Sequence, residues 1–446
     1  MPGPMLDPVV SDGQLPQSVD VVVIGGGIAG VCAALELADR GLKVALCEKG
    51  EVGAEQSSRN WGWVRLSNRD PREMPLMVES TRLWQGLNAR IGGDTGYSQC
   101  GVTFTLATDA DVADAEAAVA QQAKYQIPAR ILPKAEALAR FPGLDLDIKA
   151  AMFNPADGRA EPQKAAPAIA RAVQERGGTV HQNCAVRVVE TTAGRVSAVV
   201  TEKGTIRCSA VLLAGGVWSR LFLDNMGIYL PQLRTTGTAL RTSPVPEGPE
   251  GTVKYKTFTL RRRTDGGYTI AGADTGRYEI TPDSLRLFRA FLPTLKNEWR
   301  GMRMTLGRQT LEALSTRRRW GAGDRTPFED TRILDPIPDI KRADRMFAAV
   351  KAAYPVFRSA TVAQYWAGAI DVLPDVIPVI SPVEGTPGLF VSTGFSGHGF
   401  GLGPGAGRLA ADLVTGAAPV VDPAPFRLSR FTDGSRIEPM IGITTR

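Results

Sequence analysis

The order of apolar and polar positions divides the chain into an opening strand–helix–strand unit, a mixed middle and a closing strand–helix segment. After Asp20, Val21 to Ile24 is an unbroken run rich in β-branched residues, as in a strand buried on both faces. It runs into Gly25-Gly26-Gly27-Ile28-Ala29-Gly30. Val31 to Arg40 then repeats with helical period and stops at Gly41, and Leu42 to Cys47 predicts a second strand ending at Glu48.

Further on, Ala107 to Leu138 reads as mostly helical and Phe153 to Gly158 as a turn. Glu161 to Arg176 predicts an amphipathic helix leading to a strand around Val186. Ala210 to Ala214 is a short apolar strand with Gly215-Gly216-Val217-Trp218 at its tip. Leu230 to Ala273 alternates, with a turn at Asp265-Gly266-Gly267, and predicts antiparallel strands. Ile280 to Arg325 reads as helical. Gly388 to Thr393 predicts a strand, Gly394 to Gly403 a glycine-rich turn, and Pro404 to Thr415 a helix with proline in its first turn.

With 446 residues the chain suits two or three connected lobes, and 43% hydrophobic with 22% charged residues is the composition of a globular protein. No apolar run approaches the ~20 residues of a membrane span. Residues 1–18, rich in Pro, Gly and Asp, read as a flexible leader without the basic and apolar regions of a signal peptide. A net charge of +6 favours neither nucleic acid nor membrane. The basic stretch is 280–325, with Arg317-Arg318-Arg319; a solvated face is its default reading, and contact with a membrane surface or a partner subunit the sharper one. No nucleic acid is expected as a partner. Five cysteines without a CxxC pair fit a reducing cytoplasm, with the inner face of a membrane as the alternative location. Two histidines, His181 and His398, are too few for a metal cluster, so no metal is expected, and they make a Ser-His-Asp hydrolase hard to build.

The opening unit has a mechanical reading. Gly25 allows a tight turn, Gly27 lets a pyrophosphate approach the backbone, and Gly30 lets the helix pack on the strand. The helix N-terminus, with Ile28 and Ala29 in its first turn, offers N–H groups to phosphate. Glu48 stands where a ribose diol would be held. No second complete unit of this kind follows, and the strand tip Ala214-Gly215 returns small residues to the nucleotide. Together these favour FAD, reduced by the substrate itself, over a nicotinamide cofactor.

On these residues the chain resembles the D-amino-acid oxidase family in its broad sense, with glycine and sarcosine oxidases and D-amino-acid dehydrogenases. The segments that carry the resemblance are the fingerprint ending Glu48-Lys49, Gln56-Ser57-Ser58-Arg59-Asn60, Ala214 to Trp218, and a C-terminal stretch. That stretch is Tyr365-Trp366-Ala367-Gly368, Leu373-Pro374-Asp375 and Gly394-Phe395-Ser396-Gly397-His398-Gly399-Phe400. The resemblance implies an α/β fold, a Rossmann-like FAD-binding domain interleaved with an antiparallel-sheet substrate domain. Its expected boundaries are 19–106, 150–228 and 361–431 for FAD, 107–149 and 229–360 for substrate with a basic helical insert at 280–325, and a tail at 432–446. It implies FAD contacts from Ser57, Ser58, Trp218, Gly368, Gly397, His398, Gly399, Phe400 and Gly401 and, on the adenosine side, from Val186, with Arg59 either a diphosphate or structural contact or on the substrate side. His398 is expected to shape the backbone or edge the flavin rather than to act as a base. No cysteine follows Cys208, so the FAD is expected to be non-covalent.

The implied reaction is hydride transfer from the carbon beside an amine nitrogen to flavin N5, with O2 or a quinone or other carrier as the final acceptor. A D-amino acid is the leading substrate; an N-substituted or opine-like amine is the alternative, and a flavoprotein acting on RNA or within a partner complex a more distant one. The chain departs from its relatives at Ile370-Asp371, where an Arg-Pro pair is usual, and at Gly401, where sarcosine oxidases carry Lys. A carboxylate anchor therefore falls to Arg65, Arg234, Lys254, Lys256 or one of Arg261–Arg263, or the substrate has no carboxylate there. Trp63, Tyr268, Trp366, Asp371 and His398 join Arg65 as substrate-side candidates.

Overall fold

The computed structural model describes residues 3–272, 277–298 and 303–439. The elements that build the site are β1 (Val21–Ile24), α1 (Ile28–Asp39), β2 (Val44–Cys47), α2 (Met74–Ile91), β3 (Ala210–Leu213), β4 (Leu233–Thr242), β5 (Val362–Val372), β6 (Leu389–Thr393) and α3 (Gly399–Thr415). A sheet runs in the order Val379–Pro382, β6, β3, β1, β2, Thr179–His181; β1 pairs in parallel with both β2 and β3, and only the Val379–Pro382 edge is antiparallel. All four residues of β1 are buried, as the unbroken apolar run requires of a central parallel strand. A small three-stranded antiparallel sheet covers 186–207.

The second sheet has ten strands among the described residues, and its spine is the antiparallel pair β4–β5, in register from Leu233↔Val372 to Arg241↔Gln364 with a shift before Thr242. The alternating segment forms its expected strands over its described residues, 230–272. Three strands expected in the nucleotide lobe lie here instead: Val102–Leu106, Ala150–Asn154 and β5. Alternation shows that a strand has two faces but not which sheet it joins, so boundaries placed by sequence order missed them. The 107–138 segment likewise holds a helix (Asp109–Ala123), an added strand (Arg130–Pro133) and a short helix (Lys134–Ala139).

The glycine-rich stretch departs furthest from its expected form. It is not a turn before a helix: α3 starts at Gly399, with Pro404 inside it. Five helical glycines forgo about 1 kcal/mol each relative to alanine, so packing has to supply the helix. A Cβ on Gly403 would stand 2.6 Å from Ile28, one on Gly405 2.7 Å from the Leu76 carbonyl, and one on Gly407 2.6 Å from Cys32. Their absence lets α1 and α2 close on α3. Pro404 has no N–H to offer the Phe400 carbonyl, and the adjacent Gly401 and Gly405 groups are served from α2: Ser80 Oγ and Trp84 Nε1 donate to the Gly401 carbonyl (2.7 and 2.9 Å), and Gly405 N donates to Ser80 Oγ (3.1 Å).

The leader is not loose over its described residues. Asp7 N donates to Gln163 O (3.2 Å) and Asp12 N to Val180 O (2.8 Å), while Arg171, Gln174 and Gln182 donate to its carbonyls. Within 280–325 the structure gives short helices, Pro282–Arg286, Phe288–Glu298 and Arg308–Ser315, and a strand at Arg303–Thr305. Its arginine run is engaged: Arg317 with Asp324 (3.3 Å), Arg318 with Asp283 (2.7 Å) and Arg319 with the Asp224 carbonyl. Among the described residues no helix is long and apolar enough to cross a membrane.

Candidate functional site

A cavity of about 800 Å3 runs from the loop after β1, along the tips of β2 and β3, to the faces of β4 and β5. At its nucleotide end the backbone sets the shape. Gly25 has φ +109°, and a Cβ there would lie 2.5 Å from the Ala214 carbonyl; a Cβ on Gly30 would lie 2.0 Å from the Gly25 carbonyl. Only glycine fits either place. Gly27 caps α1, and Ser57 Oγ accepts from Ile28 N (2.8 Å), so the hydroxyl sits on the positive end of that helix. Glu48 accepts from Gly26 N (2.7 Å) and Gly50 N (2.8 Å), which fixes the loop while burial raises its pKa. A carboxylate beside a glycine loop and a helix N-terminus is the donor and acceptor set that a dinucleotide's diphosphate and ribose demand, and the residues present fit FAD.

Most residues assigned to the cofactor by sequence line this cavity: Gly25, Gly27, Ile28, Ala29, Glu48, Lys49, Ser57, Arg59, Val186, Ala214, Gly215, Trp218, Gly368 and Gly397 to Gly401. Some hold the frame as well. Arg59 bonds to the carbonyls of Ala54 and Ala367 and to Asp335 (2.5 Å). Lys49 pairs with Glu55 (2.6 Å) and lies over the Trp218 ring, whose Nε1 donates to the same carboxylate. Ser58 and Gly30 do not line the cavity; Ser58 Oγ donates to Glu55 O (3.3 Å), and Gly30 serves the strand–helix contact.

The substrate-side candidates divide. Tyr268 is fully buried away from the cavity, its hydroxyl on Pro249 O (2.9 Å) and its ring against Phe357. Trp366 is buried too, with Nε1 donating to Arg59 O (3.0 Å). Both are core, because alternation puts one face of β5 and of Tyr268–Ala271 inward. Asp371 reaches the cavity wall but is spent: Gln56 (2.9 Å), Gln232 (3.1 Å) and Gly394 N (2.9 Å) all donate to it. Trp63, Arg65 and His398 do line the cavity.

Of the candidate cations, Arg261 is tied to Glu161 (2.8 Å), Arg262 to Glu250 (3.0 Å) and Arg263 to Asp265 (3.1 Å), and Lys254 and Lys256 lie outside the lining. Arg234 lines it but is held by Gln309 (3.1 Å) and Glu312 (3.8 Å). Arg65 makes no ion pair among the described residues. Its Nη1 donates to the Ser67 and Asn68 carbonyls, and burial lowers its pKa to about 9. Leu233, Ile370, Leu285, Phe288, Phe291 and Leu295 supply an apolar wall, four of them from the 280–325 segment.

Sequence reading missed Glu73 and Arg69. Glu73 is fully buried and accepts from or pairs with His398 Nδ1 at 3.0 Å, with Arg69 3.7 Å away. The i,i+4 spacing of Arg69 and Glu73 was visible, but the approach of α3, 325 residues on, was not.

The model of the FAD dependent oxidoreductase family matches residues 20–413. The solved structure of an L-amino acid deaminase from Proteus myxofaciens, in complex with anthranilate, superposes with a TM-score of 0.92 at 35% identity, covering 96% of this chain and 97% of that one. A glycine oxidase of Pseudomonas aeruginosa is 27% identical over 91% of this chain and 97% of its own length. The sarcosine oxidase subunit beta of an Arthrobacter species is 26% identical over 95% and 93%.

Proposed function

This chain belongs to the FAD-dependent oxidoreductase family and acts on amino acids or related amines, and from that premise we propose that it oxidises the Cα–N bond of an L-amino acid with a large apolar side chain. The product is an imino acid, which water hydrolyses to the 2-oxo acid and ammonium. Bound FAD supplies the acceptor for the hydride.

Arg65 carries the reading. It is a cavity-facing guanidinium with no carboxylate partner among the described residues, and a substrate carboxylate satisfies it with a charge-assisted pair. It takes the place of the cation that Ile370 does not provide. The apolar wall from Leu285 to Leu295 then receives the side chain, and burying a Leu- or Phe-sized group there is worth about 1.5–3 kcal/mol. Closer similarity to an L-amino acid deaminase than to a glycine oxidase supports the L series over the D series expected from the motifs.

The test is the visible flavin spectrum of the purified protein under anaerobic conditions, with L-amino acids, D-amino acids, N-methyl amino acids and carboxylate-free amines added in turn. Bleaching by L-phenylalanine and L-leucine, weak with glycine, is the expected result. Bleaching by the D series alone, or only by amines without a carboxylate, overturns the proposal.

A further inference from the structure

His398, on the cavity lining, is the N-cap residue of α3, and Glu73 is the residue that leads into α2. The ring is 12% exposed, and His398 lines the cavity; its Nδ1 lies 3.0 Å from Glu73 Oε2. No described residue hydrogen-bonds its Nε2. We propose that His398 Nε2 accepts the proton of the incoming substrate ammonium, and that Glu73 is the positioning residue that holds the ring for it. The inference rests on the amine chemistry of the family and not on the side chain or handedness of the substrate.

An ammonium has no lone pair to form the C=N bond, so a zwitterionic amino acid has to lose a proton before its Cα–H bond can break. In the balanced step, R–CH(NH3+)–CO2− and neutral imidazole give R–CH(NH2)–CO2− and imidazolium. FAD, when bound, would take the Cα hydrogen with its electron pair as the nitrogen lone pair closes the C=N bond of R–C(=NH2+)–CO2−, and the imidazolium returns its proton to water.

The surroundings fit a base that rests neutral. An ionised Glu73 can only accept, so it places the ring proton on Nδ1 and leaves Nε2 bare. Glu73 Oε1 has no hydrogen-bond partner, so ring and guanidinium share one carboxylate oxygen. Four influences face the imidazole. Burial, Arg69 and Arg65 lower its pKa, while Glu73 raises it, and the net shift is downward. The start of α3, with its partial positive charge, acts in the same sense as the arginines. Once the proton arrives, Glu73 balances the buried imidazolium.

The chain has only two histidines, so the holoenzyme labelled with ring-15N histidine gives two imidazole spin systems, and a His181→Gln variant assigns them. His181 is already bonded at both nitrogens, to Asp12 O (3.1 Å) and Thr179 Oγ1 (2.9 Å). The expected result for His398 at neutral pH is a proton on Nδ1 and a bare Nε2. In Glu73→Gln the amide donates to Nδ1 and moves the proton to Nε2, which a merely structural Glu73 would not do. For His398→Asn, the rate of anaerobic flavin reduction at neutral pH falls about 10²- to 10⁴-fold. It then rises about tenfold per pH unit toward the pKa of the substrate ammonium, where the parent enzyme is flat. A resting ring protonated at Nε2, or a His398→Asn profile as flat as the parent's, overturns the proposal. The ring measurement uses no substrate, so it stands or fails apart from the stereochemical reading, and it decides even if a variant loses flavin.

Discussion

The two ends of the cavity are built on different principles. At the nucleotide end the ligand meets backbone: a loop whose Gly25 and Gly30 tolerate no Cβ, a helix N-terminus and one carboxylate, all within residues 21–48. At the substrate end it meets side chains, Arg65, His398, Ile370 and Phe288, that come from four distant segments onto the β4–β5 face. Backbone recognition leaves a compact record, because only glycine fits and the order strand, turn, helix, strand is forced. Side-chain recognition leaves residue types whose partners only the fold decides.

Three substitutions sharpen that contrast, from the largest expected effect to the smallest. Gly30→Val drives a Cβ to within 2.0 Å of the Gly25 carbonyl, and the purified protein is expected to be colourless, with no flavin released on denaturation. Retained FAD would mean that the loop is not as rigid as its contacts imply. Arg65→Met is expected to leave the flavin spectrum intact and remove about 2–3 kcal/mol of substrate binding, a KM rise of roughly 30- to 150-fold for amino acids and none for amines without a carboxylate. An equal loss for both would place Arg65 in the frame and not at the substrate. Asp157→Asn is the subtlest. Burial raises the Asp157 pKa to about 6, above its unfolded value, while Leu66 N and Asn154 Nδ2 donate to its Oδ1. The folded state thus holds a proton that the unfolded chain gives up, and this contribution to stability is full below about pH 4 and lost as pH rises through about 6. Thermal unfolding of the variant is expected to lack that downward step, worth on the order of 1–3 kcal/mol. A parent enzyme with no decline over this range would contradict it.

The same contrast explains what the sequence made legible. The β1–loop–α1–β2–Glu48 unit, the β3 tip and the alternating strands of 230–272 form over the residues whose local pattern announces them. Tyr268 and Trp366 look like pocket aromatics in sequence and are core in space, since an aromatic on an alternating strand fits either face. Asp371 read as a substrate-side candidate, but its three donors come from residues 56, 232 and 394. Gly399, Gly401 and Gly403 read as a turn because their intrinsic preference opposes a helix, and contacts from α1 and α2 reverse it. Glu73 showed only its i,i+4 spacing from Arg69, and its pairing with His398 exists only once α3 is beside it.

The bonding of α3 to Ser80 and Trp84 has a consequence in time. Ser80 and the Gly405 amide that donates to it are separated by 325 residues, so a ribosome working at about 5–20 residues per second makes one of them on the order of 20–60 s before the other. β1 waits as long for its layer, because β6 joins β3 only after residue 393 has emerged. The nascent glycine loop therefore spends that interval without the wall that closes it. Flavin loading becomes a late event in biogenesis, and a stalled or truncated chain is left with exposed strand edges and no cofactor to hold it.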